Sequence, residues 1–440
     1  MFTSARAAAV DHLLRIEVSH AHVARLDAGL PPREERQVTE YVAGVTRWRR
    51  WLDFLLAGLY RGPYHEMEPM LRQILRLGAY DLLLQQTPAH AAIHEAVELA
   101  KRRLRPGAGK LANGLLRTLD RRQDNLPEPD TGDPARDLAI RHSHPTWVVR
   151  RWVARLGPEA ARALLDWNNA RPAYDLRVNT LRQTPEAFRQ ALEALDVTAT
   201  PSPFLEAFVR VDRLQPVVQA GWLGEGGCAV QDQSAGLVVH LLDPQPHEQV
   251  LDVCAAPGGK ALYAALRMQG EGEVRAVDAN PRRLALVQRA ADQHGLRNLR
   301  VGPAADVRAL AAEPTPPQAD AVLLDAPCTG LGVLSKRADL RWHRTAEELQ
   351  QLTALQAELL DAAAMLVRPG GRLVYATCTI EPEENEAQVE AFLARNPAFE
   401  VEPPPASVPP ALLTPAGYLA TWPPRDQMDG AFAARLRHRG

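Results

Sequence analysis

The sequence of 440 residues contains little cysteine, almost no lysine and no long apolar run. Its four cysteines, Cys228, Cys254, Cys328 and Cys378, are far apart and form no CxxC pair, which argues against a disulfide framework and a zinc site. No stretch approaches the roughly 18 apolar residues of a membrane helix, and the amino terminus shows no cleavable signal pattern. These absences predict a soluble cytoplasmic protein without a metal, in which any functional cysteine acts as a thiol.

The scarcity of lysine leaves arginine as 47 of the 51 basic residues. Arginine presents a planar fork that suits phosphates and base edges, although a GC-rich genome explains the general bias equally well. The net charge of -2 hides three local basic clusters. They are Arg47, Arg49 and Arg50 interleaved with Trp48 and Trp51, then Lys101–Arg105, and Arg150 with Arg151. Basic residues beside aromatics can hold a nucleic acid backbone and stack on bases. For any one cluster, a solvated helix face is the simpler interpretation.

The length of the chain and the changes in apolar spacing and composition along it predict several domains. Residues 1–125 show apolar positions three and four apart, which indicates helices. Residues 126–137 are rich in Pro, Gly and Asp and are interpreted as a linker. Residues 138–230 mix helical stretches with short alternating runs, as in a small α+β domain. In residues 231–440, short apolar strands alternate with helices, which predicts a doubly wound parallel sheet whose ligands bind at the carboxyl ends of the strands.

A glycine turn, LDVCAAPGGK from Leu251, follows the first strand of this last domain. Gly258 and Gly259 let the backbone approach a ligand closely at the start of a helix. The turn lacks both the phosphate-loop spacing and GxGxxG. Asp278, about 20 residues further on, is placed to accept the hydroxyls of a ribose. Together these features favour a nucleoside cofactor without a pyrophosphate, and S-adenosylmethionine fits; the simpler alternative for each piece alone is a tight turn or a helix-capping Asp.

Two cysteines follow later strands of the same domain, Cys328 in DAPCTGLG and Cys378 in ATCT. In a doubly wound sheet both lie at the carboxyl edge, so we expect them to face one pocket. A single cysteine near a strand end is most often a small buried apolar residue. Here there are two, both followed by threonine, and Asp325 and Pro327 precede the first. The pattern therefore favours chemistry by thiols.

These segments carry a family resemblance. Residues 251–260, 325–332 and 377–379 resemble the cofactor and catalytic motifs of the RNA (cytosine-C5) methyltransferases, whereas the DNA cytosine methyltransferases lack the second TC motif. The resemblance extends to QDQSA from Gln231, RVNT from Arg177, DLRW from Asp339, PEENE from Pro382, DGAFAARL from Asp429, AGVTR from Ala43, ILRLGAY from Ile74, PAHAAIHEAV from Pro88 and NGLLR from Asn113. The amino-terminal segments resemble the helical NusB-like domain of the bacterial 16S ribosomal RNA methyltransferases of the RsmB type, the Sun/Fmu family.

The resemblance implies three parts: a NusB-like all-α domain, a small α+β RNA-binding domain and a Rossmann-like α/β methyltransferase domain. It implies methylation of C5 of a cytosine in 16S rRNA through a covalent thiol adduct at C6. Cys378 would be the nucleophile, Cys328 would assist product release, and Asp325 would contact N3 of the cytosine while lying beside the cofactor. We expect a monomer with 16S rRNA as partner, without membrane or metal.

The resemblance also implies the contacts of S-adenosylmethionine. Its methionine part would lie over the glycine turn, its ribose on Asp278 and its adenine beside Asp306, with Arg283 close by. The expected cofactor set is Cys254, Ala255, Ala256, Pro257, Gly258, Gly259, Lys260, Asp278, Arg283, Asp306 and Asp325. A surface lysine is nearly as good an interpretation of Lys260, and simple packing is the alternative for Cys254. Three positions depart from the family pattern and put fine packing in doubt, namely Ala261, Ala338 and Ala431.

Three other functions stay open on the sequence alone. A helical RNA-binding domain in front could make the protein an assembly or antitermination factor, but such a factor needs neither thiol. A nucleotide-dependent oxidoreductase also combines a glycine turn with an acidic residue, but it requires GxGxxG. The same methylation chemistry could also act on transfer RNA or on another ribosomal site.

Overall fold

A computed structural model of the protein describes residues 4–19 and 29–440. Residues 1–3 and 20–28, which the sequence assigns to the helical domain, lie outside the described part. The helices are α1 (Ser4–Ser19), α2 (Pro32–Ala57), α3 (Pro69–Leu83), α4 (Ala89–Arg103), α5 (Pro106–Asp120), α6 (Pro134–Arg141), α7 (Thr146–Leu156), α8 (Pro158–Asn169), α9 (Pro185–Glu193), α10 (Gln215–Gln219), α11 (Gln233–Leu242), α12 (Gly259–Arg267), α13 (Pro281–His294), α14 (Val307–Ala311), α15 (Leu340–His343), α16 (Ala346–Ala364), α17 (Glu386–Arg395) and α18 (Pro423–Asp426).

The strands are shorter and begin only after α8. They are β1 (Tyr174–Val178), β2 (Ala199–Pro201), β3 (Phe208–Val211), β4 (Cys228–Val230), β5 (Gln249–Asp252), β6 (Glu273–Ala276), β7 (Leu299–Val301), β8 (Ala319–Asp325), β9 (Val367–Thr377), β10 (Phe399–Val401), β11 (Leu419–Ala420) and β12 (Phe432–His438). Short 3-10 turns occur at Tyr64–Glu66, Gln123–Asn125, Pro382–Glu384 and Pro410–Leu412.

The chain divides into two compact units. The first comprises Met1–Ala170 together with Leu334–Thr345, and the second comprises Arg171–Val333 together with Ala346–Gly440. Nothing in the sequence indicates that Leu334–Thr345, which lies between β8 and α16, belongs with the first unit. The domain boundaries at residues 125, 137 and 230 stay a prediction.

The first unit is helical in its described residues. Helices α1 to α5 share one apolar core, to which α2 contributes Val38, Val42 and Val45 at the three- and four-residue spacing of a helix face. Helices α2, α3 and α5 each begin at a proline. Proline suits this position because its fixed φ matches the helix and its missing N–H would be unpaired there anyway. The helical prediction for this region is confirmed.

The basic cluster Arg47–Arg50 is packed inside the first unit. Arg47 donates to the main-chain oxygen of Ser335 at 2.7 Å. The Arg49 guanidinium lies 4.3 Å from the ring centre of Trp342, in the geometry of a cation–π contact. A solvated helix face is therefore wrong for this cluster, whereas an RNA contact by it stays a prediction. Its side chains instead join α2 to the segment Leu334–Thr345.

Arg341 anchors the same segment. Its side chain is fully buried and donates to the main-chain oxygens of Ser143 (3.1 Å), Asn168 (3.1 Å) and Leu334 (3.4 Å) and to Oδ1 of Asn169 (2.8 Å). A guanidinium is suited to this task because it presents five donors in a fixed fork. We call Arg341 and the residues around it the arginine junction.

The second unit contains two sheets. The smaller has the strand order β2-β3-β1-β4 and is antiparallel throughout. The larger has the order β10-β12-β9-β8-β5-β6-β7, with β11 paired to β12. Strands β9, β8, β5, β6 and β7 are parallel, as predicted, but β12 runs antiparallel to β9 and β10. The chain reaches β12 without the long crossover helix that a parallel neighbour requires, which explains the reversal.

The large sheet is covered on both faces. Val250 and Leu323 belong to one apolar cluster, whereas their chain neighbours Leu251 and Leu324 belong to the cluster on the opposite face. Such alternation follows from the two-residue period of a strand, and burial on both sides explains the continuous apolar runs in the sequence. Polar side chains therefore collect where the strands end, at the carboxyl edge formed by β6, β5, β8 and β9.

Candidate active site

The turn after β5 is built around one glycine. Gly258 has φ of +109°, and a Cβ placed on it would lie 2.7 Å from the side chain of Leu262. Only glycine fits this conformation and this space. The next residue, Gly259, begins α12, so the turn presents the amino end of a helix at the carboxyl edge of the sheet. This is the place predicted for the methionine part of the cofactor.

Asp278, after β6, is oriented by the same turn. One of its carboxylate oxygens accepts the N–H of Ala256 at 3.1 Å, and the other accepts the N–H of Asn280 at 2.9 Å. Arg283 also donates to the main-chain oxygen of Ala256. A carboxylate oxygen has two acceptor sites, so each oxygen of Asp278 can still accept a ribose hydroxyl. The glycine turn and this buried acceptor pair together fit S-adenosylmethionine.

Asp306 lies at the amino end of α14, beyond β7. Its carboxylate accepts the N–H of Arg308 at 2.9 Å and pairs with the Arg308 side chain at 2.8 Å. These bonds are those of a helix cap. They account for the residue structurally, so its predicted place beside an adenine stays a prediction.

Lys260 points to the carboxyl edge and is not a surface lysine. Its Nζ lies 2.6 Å from Oδ2 of Asp325, the last residue of β8. Burial alone would lower the pKa of Lys260, but the charge and hydrogen bond of Asp325 outweigh it, and the pKa is raised. The ammonium therefore stays charged between Asp325 and the Cys378 sulfur, which is the next charge that acts on it.

The two thiols meet at the same edge. Cys328 is the third residue after β8, Cys378 directly follows β9, and their Sγ atoms are 3.3 Å apart. Both are half-buried. The pKa of Cys328 is raised well above its ordinary value, first by its hydrogen bond to Cys378, then by burial and by the charges of Cys378 and Glu384. The structure thus brings both predicted thiols together with Asp325 and Lys260.

The other two cysteines are unsuited to nucleophilic attack. Cys228 is buried in the core of the small sheet, and burial raises its pKa to about 12. Cys254 packs against the core of the large sheet, and burial followed by the charges of Asp252 and Asp325 raises its pKa. Only the thiolate form is reactive. Cys254 is next to the glycine turn, so a packing contact with the cofactor stays a prediction.

Two buried acidic residues of the site escaped the sequence-based assignment of roles. Asp252 ends β5, and its pKa is raised to about 8, first by burial and then by the charge of Asp325. Glu384 is fully buried behind the thiols. Each left a signal in the sequence: a carboxylate inside the apolar strand QVLDV, and an acidic segment, PEENE, after the second thiol.

The three departures from the family pattern are all buried. Ala261 lies in α12, Ala338 precedes Asp339 in the first unit, and Ala431 precedes β12. None has a side chain that could take part in chemistry. These substitutions therefore concern packing, as expected.

Metal and membrane features are absent from the part of the chain that the structure describes. Among residues 4–19 and 29–440, no group of His, Cys, Asp and Glu side chains is arranged to bind a metal ion. No helix within those residues combines the length and hydropathy needed to cross a bilayer.

Comparison with known families matches three segments of the chain. Residues 239–437 match the family described as 16S rRNA methyltransferase RsmB/F, residues 3–121 match the NusB family, and residues 144–218 match the ferredoxin-like domain of RsmF/B-like methyltransferases. The predicted fold class, helical NusB-like, small α+β and α/β methyltransferase, is confirmed.

Similar proteins cover nearly the whole chain. A probable ribosomal RNA small subunit methyltransferase B from Synechocystis is 35% identical over 93% of this chain and 92% of its own. A protein of the same name from Bacillus subtilis is 32% identical over 90% of each chain. The crystal structure of PH0851 superimposes with a TM-score of 0.81 at 26% identity and covers 99% of both chains.

These matches decide between the functions that the sequence left open. They confirm an S-adenosylmethionine-dependent rRNA methyltransferase over a pure binding factor or an oxidoreductase. The chain belongs to the RsmB family of 16S rRNA methyltransferases.

Proposed function

We propose that this protein methylates C5 of one cytosine in 16S rRNA, with Cys378 as nucleophile and Cys328 as the group that assists release. The observation that supports this assignment is the pair of sulfurs 3.3 Å apart, beside Lys260 and Asp325 and next to the glycine turn. The protein acts in the cytoplasm, as a monomer. S-adenosylmethionine, held by the turn, Asp278 and Arg283, supplies an electrophilic methyl group.

Cytosine needs activation before it can be methylated at C5. Its ring electrons are delocalised into the carbonyl group and the ring nitrogens, so C5 is a weak nucleophile. When the Cys378 thiolate attacks C6, an Sγ–C6 bond forms, the C5–C6 π electrons shift to C5–C4, and N3 takes a proton that the Lys260 ammonium passes through Asp325. C5 then has the electron density of an enamine. Lys260 orients Asp325 for this contact through the 2.6 Å bond.

The charges around the two sulfurs favour different roles for them. Cys328 lies next to the negative Glu384, and its raised pKa keeps it protonated. Cys378 lies next to the positive Lys260. Because the raised pKa of Cys328 keeps that thiol protonated, we assign the nucleophilic attack to Cys378.

The roles change once Cys378 has reacted. Its sulfur is then a neutral thioether, so the hydrogen bond and the charge that raised the pKa of Cys328 are weakened. Cys328 can now release its proton to solvent and, once C5 carries the methyl group, take the proton from C5. The C5–H electrons form the C5–C6 double bond, the Sγ–C6 bond breaks, and the N3 proton returns to the side of Asp325. The thiol pair is restored.

RNA must present the cytosine unpaired, because a stacked base in a duplex does not reach this edge. The second basic cluster, Lys101–Arg105, supports RNA binding by the first unit. Lys101, Arg102, Arg103 and Arg105 are exposed at the end of α4 and the start of α5. Such side chains bind phosphates without reading sequence. We assign to them a positioning role rather than a chemical one.

The direct test is methylation of protein-free 16S rRNA with labelled S-adenosylmethionine, followed by mapping at base resolution. We expect one 5-methylcytosine in an unpaired segment. Methyl transfer only to transfer RNA or to assembled subunits would contradict free 16S rRNA as the substrate but agree with the proposed chemistry. No transfer to any RNA would overturn the proposed function.

The thiol roles are tested separately on a denaturing gel. Cys328→Ala should accumulate an RNA adduct that resists denaturation, because attack proceeds and release does not. Cys378→Ala should give neither adduct nor product, and Cys228→Ala, the matched control in the core of the small sheet, should behave as wild type. An adduct with Cys378→Ala and none with Cys328→Ala would reverse the two roles.

A further inference from the structure

A buried carboxylate, that of Glu384, hydrogen-bonds to the residue that directly follows Cys328. Glu384 has no exposed surface, and its carboxylate accepts the N–H of Thr329 at 2.8 Å and Nε2 of Gln356 at 3.0 Å. It also accepts the hydroxyl of Thr329. The side chain therefore receives at least three hydrogen bonds without forming an ion pair with any of these partners.

These bonds reach both thiol loops. Thr329 directly follows Cys328, and its Oγ1 lies 2.9 Å from Oγ1 of Thr379, which directly follows Cys378. The Thr329 hydroxyl donates to Glu384, and the Thr379 side chain also hydrogen-bonds to this carboxylate. One carboxylate thus ties together the two residues that follow the two thiols.

The neighbours of Glu384 complete the support. Gln356, held by the carboxylate, also donates to the main-chain oxygen of Pro327 at 2.8 Å, just before Cys328. Asn385 accepts the hydroxyl of Thr377 at 2.6 Å and donates to the main-chain oxygen of Thr379 at 3.1 Å. The main chain is therefore fixed on both sides of each sulfur.

We propose that Glu384 is the positioning residue of the two-thiol site, holding Cys328 and Cys378 at reacting separation and keeping their roles distinct. The proposal deepens the proposed function and rests on it, because it assigns both thiols to the methylation of cytosine. In the proposed reaction Glu384 does not react with the cytosine itself. It acts on the two thiols through Thr329, Thr379 and Gln356.

A carboxylate suits this position better than an amide. All the polar groups that face it are donors, and glutamine would offer one acceptor oxygen and turn its NH₂ group toward another donor. Burial raises the pKa of Glu384, and the hydrogen bonds oppose that rise. The negative charge also contributes to the raised pKa of Cys328, together with Cys378 and with burial. Tyr375, which donates to the main-chain oxygen of Glu384 at 2.7 Å, closes the remaining side.

The first experiment compares Glu384→Gln with Glu383→Gln, an exposed glutamate one residue earlier. We expect Glu384→Gln to lower kcat about 100-fold, the scale of losing one positioned group, with KM for RNA and for S-adenosylmethionine within about two-fold of wild type. Glu383→Gln should retain wild-type values. Unchanged kcat in Glu384→Gln, or a loss confined to KM, would overturn the proposal.

The second experiment needs no RNA, so it is independent of the proposed substrate. Alkylation by iodoacetamide, with labelled peptides mapped by mass spectrometry, reports each thiol. In Glu384→Gln, Cys328 should be labelled about five-fold faster than in wild type, because its loop is held less firmly against Cys378 and one of the charges that raise its pKa is gone. Cys228 and Cys254 should stay unlabelled, which reports an intact core. If the labelling rates of Cys328 and Cys378 keep their wild-type ratio, or if all four cysteines are labelled rapidly, the proposal is overturned.

A second variant keeps the test decisive if Glu384→Gln does not fold. Thr329→Val has nearly the same shape and removes the hydroxyl by which the loop of Cys328 donates to Glu384. We expect a loss of about ten-fold in kcat, as for one neutral hydrogen bond, with unchanged KM. Wild-type kcat in Thr329→Val would overturn the proposal. Loss of activity in wild type toward every RNA, with the labelling result intact, would instead count against the proposed function alone.

Discussion

Two regions of the molecule bury charged side chains, and they do so for different ends. In the arginine junction of the first unit, Arg341 donates to oxygens of the protein at distances of 2.8 to 3.4 Å. At the carboxyl edge of the large sheet, Asp252, Asp325 and Lys260 lie together, with two carboxylates for one ammonium. The pKa of Asp252 is raised to about 8 there by burial and by Asp325.

The difference lies in what the buried groups face. Oxygens of the chain itself accept from both terminal nitrogens of Arg341, so we expect its contribution to be to stability. At the carboxyl edge the charge of Asp325 raises the pKa of Asp252, so the two carboxylates repel each other. Carboxylates that perturb each other beside reactive side chains are typical of a functional site.

The largest expected effect is a loss of methylation activity at the carboxyl edge that is not accompanied by a loss of stability. Cys378→Ala should lower the single-turnover methylation rate at least about 10⁴-fold, because the covalent step is lost, and change the free energy of unfolding by less than about 1 kcal/mol. Single-turnover kinetics and urea denaturation measure the two quantities. Residual methylation within 100-fold of wild type would show that attack at C6 does not depend on this thiol.

The arginine junction should give the opposite result. Arg341→Met should lower the free energy of unfolding by about 3 kcal/mol, because several buried oxygens lose a charged donor. Urea denaturation followed by circular dichroism measures the change. Lys336→Met, in the same segment and at an exposed position, should cost less than about 1 kcal/mol. Equal costs for the two variants would contradict the assignment of Arg341 as the anchor.

His240 lies outside both regions and has a perturbed pKa. It tests whether a titratable group that is merely buried affects stability but not activity. Nε2 of His240 accepts from Arg267 at 3.0 Å, and burial, followed by the charge of Arg267, lowers the pKa of the ring to about 4. The unfolded chain has the ordinary value of about 6.5. Between these values the unfolded state binds the extra proton, so stability falls as the pH drops from about 6.5 toward 4.

Comparison of wild type with His240→Gln isolates this contribution from those of the other buried histidines. Between pH 7 and pH 5, wild type should lose about 1 to 2 kcal/mol more unfolding free energy than the variant. Urea denaturation at the two pH values measures it, and methylation at pH 7 should be unchanged. Identical pH dependence in both proteins would show that His240 titrates normally.

Much of this architecture follows from local sequence rules. Apolar periodicity predicts the helices of the first unit. Because the carboxyl ends of parallel strands lie at one edge of a sheet, the sequence also predicts that Cys328 and Cys378 lie close together. The rest depends on contacts between residues far apart in the chain. The reversed β12 and the placement of Leu334–Thr345 leave no periodic signal, and the role of Glu384 emerges only when Thr329 and Gln356 meet it in three dimensions.

The smallest expected effect concerns the exposed basic residues, which sharpen the contrast with the arginine junction. Arg102→Gln should weaken binding of 16S rRNA a few-fold and reduce the slope of log affinity against log salt by about 1, as for one lost phosphate contact. Stability should be unchanged, since the side chain is exposed. Arg300→Gln, an exposed arginine on β7, is the control and should alter neither quantity. A salt slope equal to wild type in Arg102→Gln would remove α4 from the RNA-binding surface and leave the exposed arginines, like the buried ones, without a role in substrate binding.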